Sequence, residues 1–244
     1  MSSGAYTALS GLQARSAQLE RLAADIANTG TSGYKAERGT TAAAERPRDA
    51  FETMLKSAVD VADGPHQIDF RPGTIATTGR DFDFAIEGRG FFVIDAPEGA
   101  RYTRSGHFTR RADGVLATEE GFPVQGENGP LTLPNSGGAI SIDGDGQIRV
   151  GQTAVGRPKI VDFDRYEQLG RQDGVSFRAG AGMAPAAAAD TRLIAGALEQ
   201  SNVGLVERMA QMTEVTRTFE ALQRGVTILM NDLDGRAIND LGRR

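Results

Sequence analysis

The chain has 244 residues, no cysteine and no tryptophan, and a formal net charge of −5 from 27 basic and 32 acidic side chains. This length allows one sizeable domain or two small ones. The absence of cysteine excludes disulfides, thiolate zinc sites and a cysteine nucleophile. The acidic balance, without any long basic run, argues against nucleic-acid binding.

The N-terminal segment is predicted to form a helix from Gly4 to Ala27, because apolar residues recur there at seven-residue steps. Heptad spacing turns one face of a helix toward a partner helix. The first row of this repeat is Ala5, Leu12, Leu19 and Ile26, and the second is Ala8, Arg15 and Leu22. The helix should end at the turn over 28–33, which combines two glycines with four small polar residues.

The next segment, residues 35–75, has no clear pattern. It is polar and alanine-rich as far as Arg48, with Pro47 as a break, and residues 49–61 could form a short helix that ends at Gly64. An extended chain explains the same composition equally well.

From about residue 74 to residue 178 the pattern changes to short apolar runs separated by glycines. The predicted strands are 82–86, 91–94, 102–104, 107–109, 115–118, 140–142, 147–150 and 159–163. Turn signals lie between them at Asp113-Gly114 and at 143–146. Regularly spaced short strands are typical of an antiparallel sandwich or barrel-like domain.

The C-terminal segment is predicted to form a second, longer helix, capped by Ser201 or Asn202 and running to Leu233. Such a helix would be about 50 Å long at 1.5 Å per residue. Its apolar stripe is Leu205, Met212, Phe219, Val226 and Leu233, with Val215, Leu222 and Leu229 between them, broken mainly at Arg208. The pattern alone leaves two interpretations open: helices paired within one molecule, or helices that assemble between molecules.

No group of residues forms a convincing catalytic or metal site. His66 and His107 lie in different segments, whereas a metal usually needs two or three converging ligands. The loop that begins at Asp143 has Ile148 and Ala154 where a calcium loop needs glycine and glutamate, which favours a hairpin turn.

Three further patterns have structural interpretations. Asp81 and Asp83 are two residues apart on one predicted strand, so both should face solvent, opposite Phe82. Ser105 and His107 lack an orienting acid in the sequence, and the glycines around Arg89 lack the rest of a dinucleotide fingerprint. We therefore expect a protein that is not an enzyme and needs no cofactor.

Targeting signals are not visible. The first residues lead directly into the predicted helix, without a basic stretch followed by an apolar one, and no run of about 18 apolar residues occurs. These observations alone favour a soluble cytoplasmic protein without membrane insertion.

Four ordered motifs resemble the flagellar axial protein family, the rod and hook subunits of the bacterial flagellum. The N-terminal one includes Asn28, Gly33, Tyr34 and Lys35. The others cover 78–93, 101–124 with its Arg101-Tyr102-Thr103-Arg104-Ser105-Gly106 run, and 198–220 with its Leu198-Glu199-Gln200-Ser201-Asn202-Val203 opening. The length and the patterns near Gly129 and Val155 resemble a proximal rod subunit, with a distal rod subunit as the alternative.

This resemblance implies an α+β fold, in which long N- and C-terminal helices form a coiled-coil-like inner domain and the central domain is antiparallel and all-β. The implied boundaries are 1–35, 36–75, 76–200 and 201–244. The helices would supply an assembly seam of Leu12, Leu19, Leu22, Ile26, Leu205, Met212, Val215, Phe219, Leu222, Val226, Leu229 and Leu233.

The same resemblance implies a mechanical function. The protein would be a basal-body rod subunit that transmits torque, lines an export channel, and contacts other rod subunits and copies of itself in a helical array. Export through the flagellar type III apparatus would replace the cytoplasmic assignment. A competing class, suggested by the residues alone, is a ligand-binding or enzymatic β domain with helical dimerisation ends.

Overall fold

A computed structural model describes residues 3–39, 66–134, 138–143, 146–188 and 191–241. The chain divides into two compact units, which we call the helical unit and the β unit. The helical unit comprises Met1–Ala27, Glu37–Gln67 and Gly204–Arg244, and the β unit comprises Asn28–Ala36 and Ile68–Val203. The predicted short helix at 49–61 lies outside the described residues.

The described residues of the helical unit include two helices. The first, α1, spans Ser3–Ala27 and has 25 residues, and the second, α2, spans Leu205–Leu241 and has 37 residues. Two short strands, β1 (Glu37–Gly39) and β2 (His66–Ile68), pair with each other. Neither described helix combines the length and the apolar character that crossing a bilayer would require.

The predicted fold of two long terminal helices in a coiled-coil-like inner domain is wrong. Only α2 is long, at about 55 Å for a rise of 1.5 Å per residue, whereas α1 is short and stops at Ala27. In the described residues between them, the regular elements are β-strands apart from a 3-10 turn.

The packing of α1 explains why its heptad pattern misled the prediction. The buried residues whose side chains are described are Gly11, Ala14, Leu22 and Asp25. The apolar residues of the predicted first row (Leu12, Leu19 and Ile26) are only partly buried. The buried residues of α1 therefore lie on a different line along the helix from the apolar residues of the predicted row. They include two small residues and a carboxylate, so they form no continuous seam of large side chains.

An ion pair across the two helices accounts for the break in the C-terminal stripe. The Arg208 guanidinium on α2 lies 3.1 Å from the Asp25 carboxylate on α1, and Asp25 is 1% exposed. Arg208 also donates to the Glu37 carbonyl at 3.3 Å, and the Glu37 N–H donates to Asp25 at 3.3 Å. The arginine that interrupts the apolar pattern is therefore a structural contact between α1, α2 and the start of β1.

The β unit contains seventeen strands in its described residues. These are β3 (Ile75–Thr77), β4 (Phe84–Glu87), β5 (Phe91–Ala96), β6 (Gly99–Thr103), β7 (Thr109–Arg110), β8 (Leu116–Ala117), β9 (Gln125–Gly126), β10 (Gly129–Pro130), β11 (Ile140–Ile142), β12 (Ile148–Val150), β13 (Thr153–Gly156), β14 (Ile160–Asp162), β15 (Leu169–Arg171), β16 (Ser176–Ala179), β17 (Ala186–Ala187), β18 (Arg192–Ala195) and β19 (Ala197–Glu199). A 3-10 turn, Tyr166–Gln168, precedes β15.

A six-stranded antiparallel sheet in the order β15-β16-β6-β5-β14-β17 is the largest sheet of this unit. The strands β11, β12 and β13 form a second, three-stranded antiparallel sheet. Four antiparallel pairs complete the unit: β18 with β4, β19 with β3, β7 with β8, and β9 with β10.

Strand β5 lies between two hydrophobic clusters. Phe92 and Ile94 pack in a cluster with Phe108, while Phe91 and Val93 pack in a second cluster with Phe177. Successive side chains of a strand point to opposite faces. Both faces of β5 are therefore covered, which explains the continuous apolar run at 91–94.

At its described positions, the loop after β11 forms the hairpin turn that the sequence predicts. The Gly146 N–H donates to the Asp143 carbonyl at 2.8 Å, and the Asp143 N–H donates to the Gln147 carbonyl at 3.0 Å. The Asp143 carboxylate accepts from Arg149 at 3.2 Å. Residues 144 and 145 lie outside the described part of the loop.

Replacing Phe177 by alanine should strongly destabilise the β unit. Phe177 is fully buried, and its ring makes edge contacts with Phe70 at 5.0 Å and Phe91 at 5.9 Å. We expect a loss of about 3–5 kcal/mol in the free energy of unfolding, measured by urea denaturation. Ile75→Ala, at a position that is 39% exposed, is the control. A loss below about 1 kcal/mol for Phe177→Ala would contradict this packing.

Candidate functional site

The motif turn at 28–35, where the chain enters the β unit, is closed by its own backbone and side chains. The Thr31 N–H donates to the Asn28 carbonyl at 3.1 Å, and the Tyr34 N–H donates to the Thr31 carbonyl at 3.3 Å. The Thr31 hydroxyl also donates to the Asn28 side-chain oxygen at 3.1 Å. Small polar residues are frequent in such turns because they form these local bonds.

Gly33 is required at this turn for two reasons. Its φ is +72°, a conformation that residues with a side chain rarely adopt. A Cβ atom there would lie 2.2 Å from the Ser105 nitrogen, so the turn packs directly on the loop after β6. The Gly33 N–H donates to the Glu199 carbonyl at 2.8 Å, which joins the entering chain to β19.

Asn202 lies where the chain leaves the β unit, and its side chain is bonded to the entering segment. Its side-chain oxygen accepts the Ala36 N–H at 2.8 Å, and its amide donates to the carbonyls of Asp69 at 2.7 Å and Arg71 at 3.0 Å. A single side chain therefore connects three segments of the β unit. The predicted role of Asn202 as a helix cap is not what these bonds show, since α2 begins only at Leu205.

We call the place where the entering segment meets the leaving segment the crossing. It contains a buried ion network of Lys35, Glu199 and Arg104. Their side chains are 0%, 1% and 5% exposed. The Lys35 ammonium donates to one Glu199 oxygen, and the Arg104 guanidinium donates to the other at 3.2 Å. We call Lys35, Arg104, Glu199 and Asn202 together the junction network.

Each charge in the network has further partners. Lys35 also donates to the Arg71 carbonyl at 3.0 Å, and Arg104 donates to the Ile86 carbonyl at 3.3 Å and the Gly88 carbonyl at 2.8 Å. Buried ionic groups are tolerated when they are paired and hydrogen-bonded in this way. The network therefore fixes the entering chain, the exit strand and the end of β4 against one another.

The network has one carboxylate for two cations, and the pKa of the Lys35 ammonium reflects this buried environment. Burial lowers the pKa of the Lys35 ammonium below its ordinary value of 10.5; the nearby Glu199 carboxylate opposes the shift, and Arg104 adds to it. All of these charged groups bond to protein atoms. The charged groups of the network are therefore engaged with one another and with backbone carbonyls.

Sequence reasoning identified Lys35 but missed its partners as site residues. Arg104, Glu199 and Asn202 all lie within the quoted motifs. A possible signal was the position of Glu199 directly after Ala197-Leu198, because a charged residue beside a buried strand needs a counter-ion. The sequence could not show which of the 27 basic residues supplies it.

The residues of the proposed assembly seam all belong to the helical unit and differ in exposure. Leu22 and Val215 are buried, Leu205 is 43% exposed, and the partly buried ones are Leu12, Leu19, Ile26, Met212, Phe219, Leu222 and Val226. Leu229 and Leu233 lie on α2, where side chains fall outside the described residues. Their role in assembly stays a prediction.

A polar cluster around His107 corrects another sequence expectation. Asp83, predicted to face solvent, is 1% exposed and lies 2.8 Å from His107 Nδ1. It also accepts from the Thr78 hydroxyl at 2.7 Å. Residues 81–82 form a turn, so the strand alternation begins only at Phe84.

Asp83 thus supplies the orienting acid that the sequence did not reveal. The other ring nitrogen, Nε2, lies 3.1 Å from the Glu119 carboxylate, and Glu119 therefore occupies the position where a nucleophilic hydroxyl would need to bind. In the part of the chain that the structure describes, no three of the histidine and acidic residues are grouped so as to hold a metal ion.

Replacing Gly33 by alanine should lower the free energy of unfolding by at least about 2 kcal/mol, because the residue has positive φ and a Cβ would clash with backbone. Gly30→Ala is the matched control in the same turn, where a Cβ would meet nothing within 4 Å. We expect the control to change stability by less than about 1 kcal/mol. Equal effects in thermal denaturation would contradict the packing of Gly33 on the Ser105 loop.

Lys35 should make stability depend on pH in the alkaline range. Because its pKa is lowered in the folded protein, the unfolded chain binds more protons at pH values between that lowered pKa and 10.5. The contribution of Lys35 to stability should therefore rise with pH through this window. The measurement is the difference in unfolding free energy between the wild type and Lys35→Met from neutral pH to 10.5. A difference that falls with pH would contradict the burial of this ammonium.

Comparison with known proteins places these motifs in a family. The profile of the flagellar hook protein FlgE/F/G D1 domain matches residues 85–150, which include Arg104. The profile of the flagellar basal body rod FlgEFG protein C-terminal region matches residues 194–239, which include Glu199 and Asn202.

Relatives match over nearly the whole chain. The flagellar basal-body rod protein FlgF of Rhizobium meliloti (strain 1021) is 32% identical over 247 residues, 99% of each chain. That of Salmonella typhimurium is 33% identical over 246 residues, 95% of each chain. The rod protein FlgG of Bacillus subtilis is 28% identical over 245 residues, 91% of this chain and 93% of its own. The chain belongs to the FlgF family of flagellar basal-body rod proteins.

Proposed function

We propose that this protein is a structural subunit of the proximal part of the flagellar rod, that it transmits torque across the periplasm, and that it has no catalytic activity. The observation that supports this most directly is the junction network. Its four side chains are bonded to protein atoms, so these polar groups of the motifs hold segments of the β unit together.

Rod subunits of this kind would contact each other head to tail. A contact between two different surfaces of the same chain repeats without closing when the rotation does not complete a ring, and the result is a helical filament. The partners in this proposal are further copies of the chain and other rod subunits. Passage through the flagellar type III export apparatus is the proposed route to the basal body, and the assembled rod would line the channel for later subunits.

The surface of α2 offers apolar groups for such contacts. Val206 is 81% exposed, Met209 is 55% exposed and Ile228 is 68% exposed. Single exposed apolar residues are ordinary, but with Leu205, which is 43% exposed, the described part of this helix leaves four apolar side chains in water. We propose that these residues, together with the partly buried stripe that contains Met212, Phe219 and Leu222, are covered by neighbouring subunits.

The test of this function is a strain that lacks the gene. Electron microscopy of its basal bodies should show no completed rod and no hook, and swimming should return when the wild-type gene is restored. Intact rods and hooks in the deletion strain would contradict the proposal. Electron cryomicroscopy of wild-type basal bodies separates a proximal position from the distal one expected of a FlgG-type subunit.

The double variant Val206→Ser/Ile228→Ser should fail to assemble without losing stability. Both side chains are mainly exposed in the single chain, so the melting temperature should change by less than about 2 °C, whereas incorporation into rods should fall at least about fivefold. Gln223→Ser, at an exposed polar position of the same helix, is the control. Wild-type incorporation of the double variant, measured by immunoblot of purified basal bodies, would rule out this surface.

A further inference from the structure

His107 lies between two carboxylates of the β unit, one at each nitrogen of its ring. Its Nδ1 atom is 2.8 Å from the Asp83 carboxylate, and its Nε2 atom is 3.1 Å from the Glu119 carboxylate. The His107 side chain is 20% exposed, that of Asp83 is 1% exposed and that of Glu119 is 69% exposed. The ring therefore connects a buried acid to a surface acid, and we call these three residues the histidine bridge.

Asp83 is the buried end of the histidine bridge and is fixed by further bonds. The carboxylate oxygen that does not face His107 accepts from the Thr78 hydroxyl at 2.7 Å, and the Asp83 carbonyl accepts from the Gly196 N–H at 2.8 Å. An ionised carboxylate can only accept hydrogen bonds. The Nδ1 atom of His107 must therefore carry a proton in order to bond Asp83.

Glu119 is the surface end of the histidine bridge and lies in the turn between β8 and β9. This turn is closed by two backbone bonds: the Thr118 N–H donates to the Phe122 carbonyl, and the Gly121 N–H donates to the Thr118 carbonyl, both at 2.9 Å. Asp83 directly precedes β4. The histidine bridge therefore joins this turn to the start of β4 through side chains.

The two carboxylates place different demands on the ring in its two protonation states. A neutral imidazole has one N–H donor and one acceptor nitrogen, whereas an imidazolium ion has two donors. With its proton on Nδ1, the neutral ring directs the Nε2 lone pair toward a carboxylate oxygen 3.1 Å away, and two acceptors at that distance repel each other. The imidazolium ion instead donates to both carboxylates.

The other charged groups near the ring also favour its positive form. His107 lines a cleft together with Glu119, Glu120 and Asp173, and Asp173 is itself paired with Arg101 at 2.7 Å. Among the described residues that line this cleft there is no lysine or arginine. A proton added to His107 therefore places a positive charge among carboxylates, which attract it.

We propose that the histidine bridge is an acid-strengthened lock on the turn between β8 and β9. At low pH the imidazolium ion donates to Asp83 and to Glu119, and both contacts are favourable. As the pH rises and the ring loses a proton, the bond to Asp83 stays and the attraction to Glu119 is lost. The stability that Glu119 adds should therefore be present at low pH and disappear at higher pH. This property belongs to the single chain and does not depend on assembly.

The first test measures the melting temperature of the full chain at about pH 5.5 and about pH 8, the range over which histidine side chains change charge. Glu119→Gln should lower it by about 2 °C at the acidic pH. At the alkaline pH it should cause no fall, because the glutamine amide can donate to the unprotonated Nε2 atom. Glu120→Gln, the same loss of charge one residue along, is the matched control and should have the same small effect at both pH values. Equal falls for Glu119→Gln at both pH values would overturn the proposal.

The second test locates the protons on the ring by nitrogen NMR. The sample carries His66→Gln, so that only the His107 ring contributes. At about pH 8 the ring should carry its proton on Nδ1, and at about pH 5.5 it should carry protons on both nitrogens. Glu119→Gln is mainly exposed at the substituted position and should keep the Nδ1 proton at the alkaline pH. A neutral ring with its proton on Nε2 would show that Asp83 does not hold the ring, and would also overturn the proposal.

Discussion

The structure of the β unit depends on the placement of Lys35, Glu199 and Arg104 in its interior. All three side chains are almost completely buried, and removing charges from water is costly unless each is paired and hydrogen-bonded. Glu199 is the only carboxylate in the network and accepts from both cations and from the Gly73 N–H at 3.0 Å. Any displacement of the entering or leaving chain would leave a buried charge unpaired, so the two ends of the unit are held in one arrangement.

This arrangement suits a mechanical part. Packed protein interiors have low compressibility and transmit strain, and the entering and leaving segments are the two places where the chain passes into and out of the β unit. The network, the Asn202 bonds and the close approach of Gly33 to Ser105 act at the same crossing. A second ionic contact, between Asp25 and Arg208, has the corresponding role inside the helical unit, where it joins α1 to α2.

The sequence predicted the local elements much better than their contacts. The end of α1, the continuous apolar run of β5 and the hairpin at Asp143 follow from turn residues and apolar spacing, which act over a few positions. The two-helix inner domain was wrong because α1 packs through Gly11, Ala14 and Asp25, which an apolar pattern does not highlight. Asp83 was assigned to solvent for a different reason: residues 81–82 form a turn that breaks the expected alternation, and the fold brings His107 and Thr78 to its carboxylate. The ion network joins residues up to 164 positions apart, a distance over which a single sequence gives no pairing information.

A double-mutant cycle with Lys35→Met and Glu199→Gln tests the central claim most directly. Alone, Glu199→Gln leaves two buried cations without a counter-ion, whereas in the Lys35→Met background only Arg104 remains unpaired. The loss caused by Glu199→Gln should therefore be larger in the wild-type background, with a coupling energy of about 1.5–3 kcal/mol in the free energy of unfolding. Additive losses, with a coupling energy below about 0.5 kcal/mol, would show that the two side chains do not depend on each other. In that case another contact must hold the crossing together.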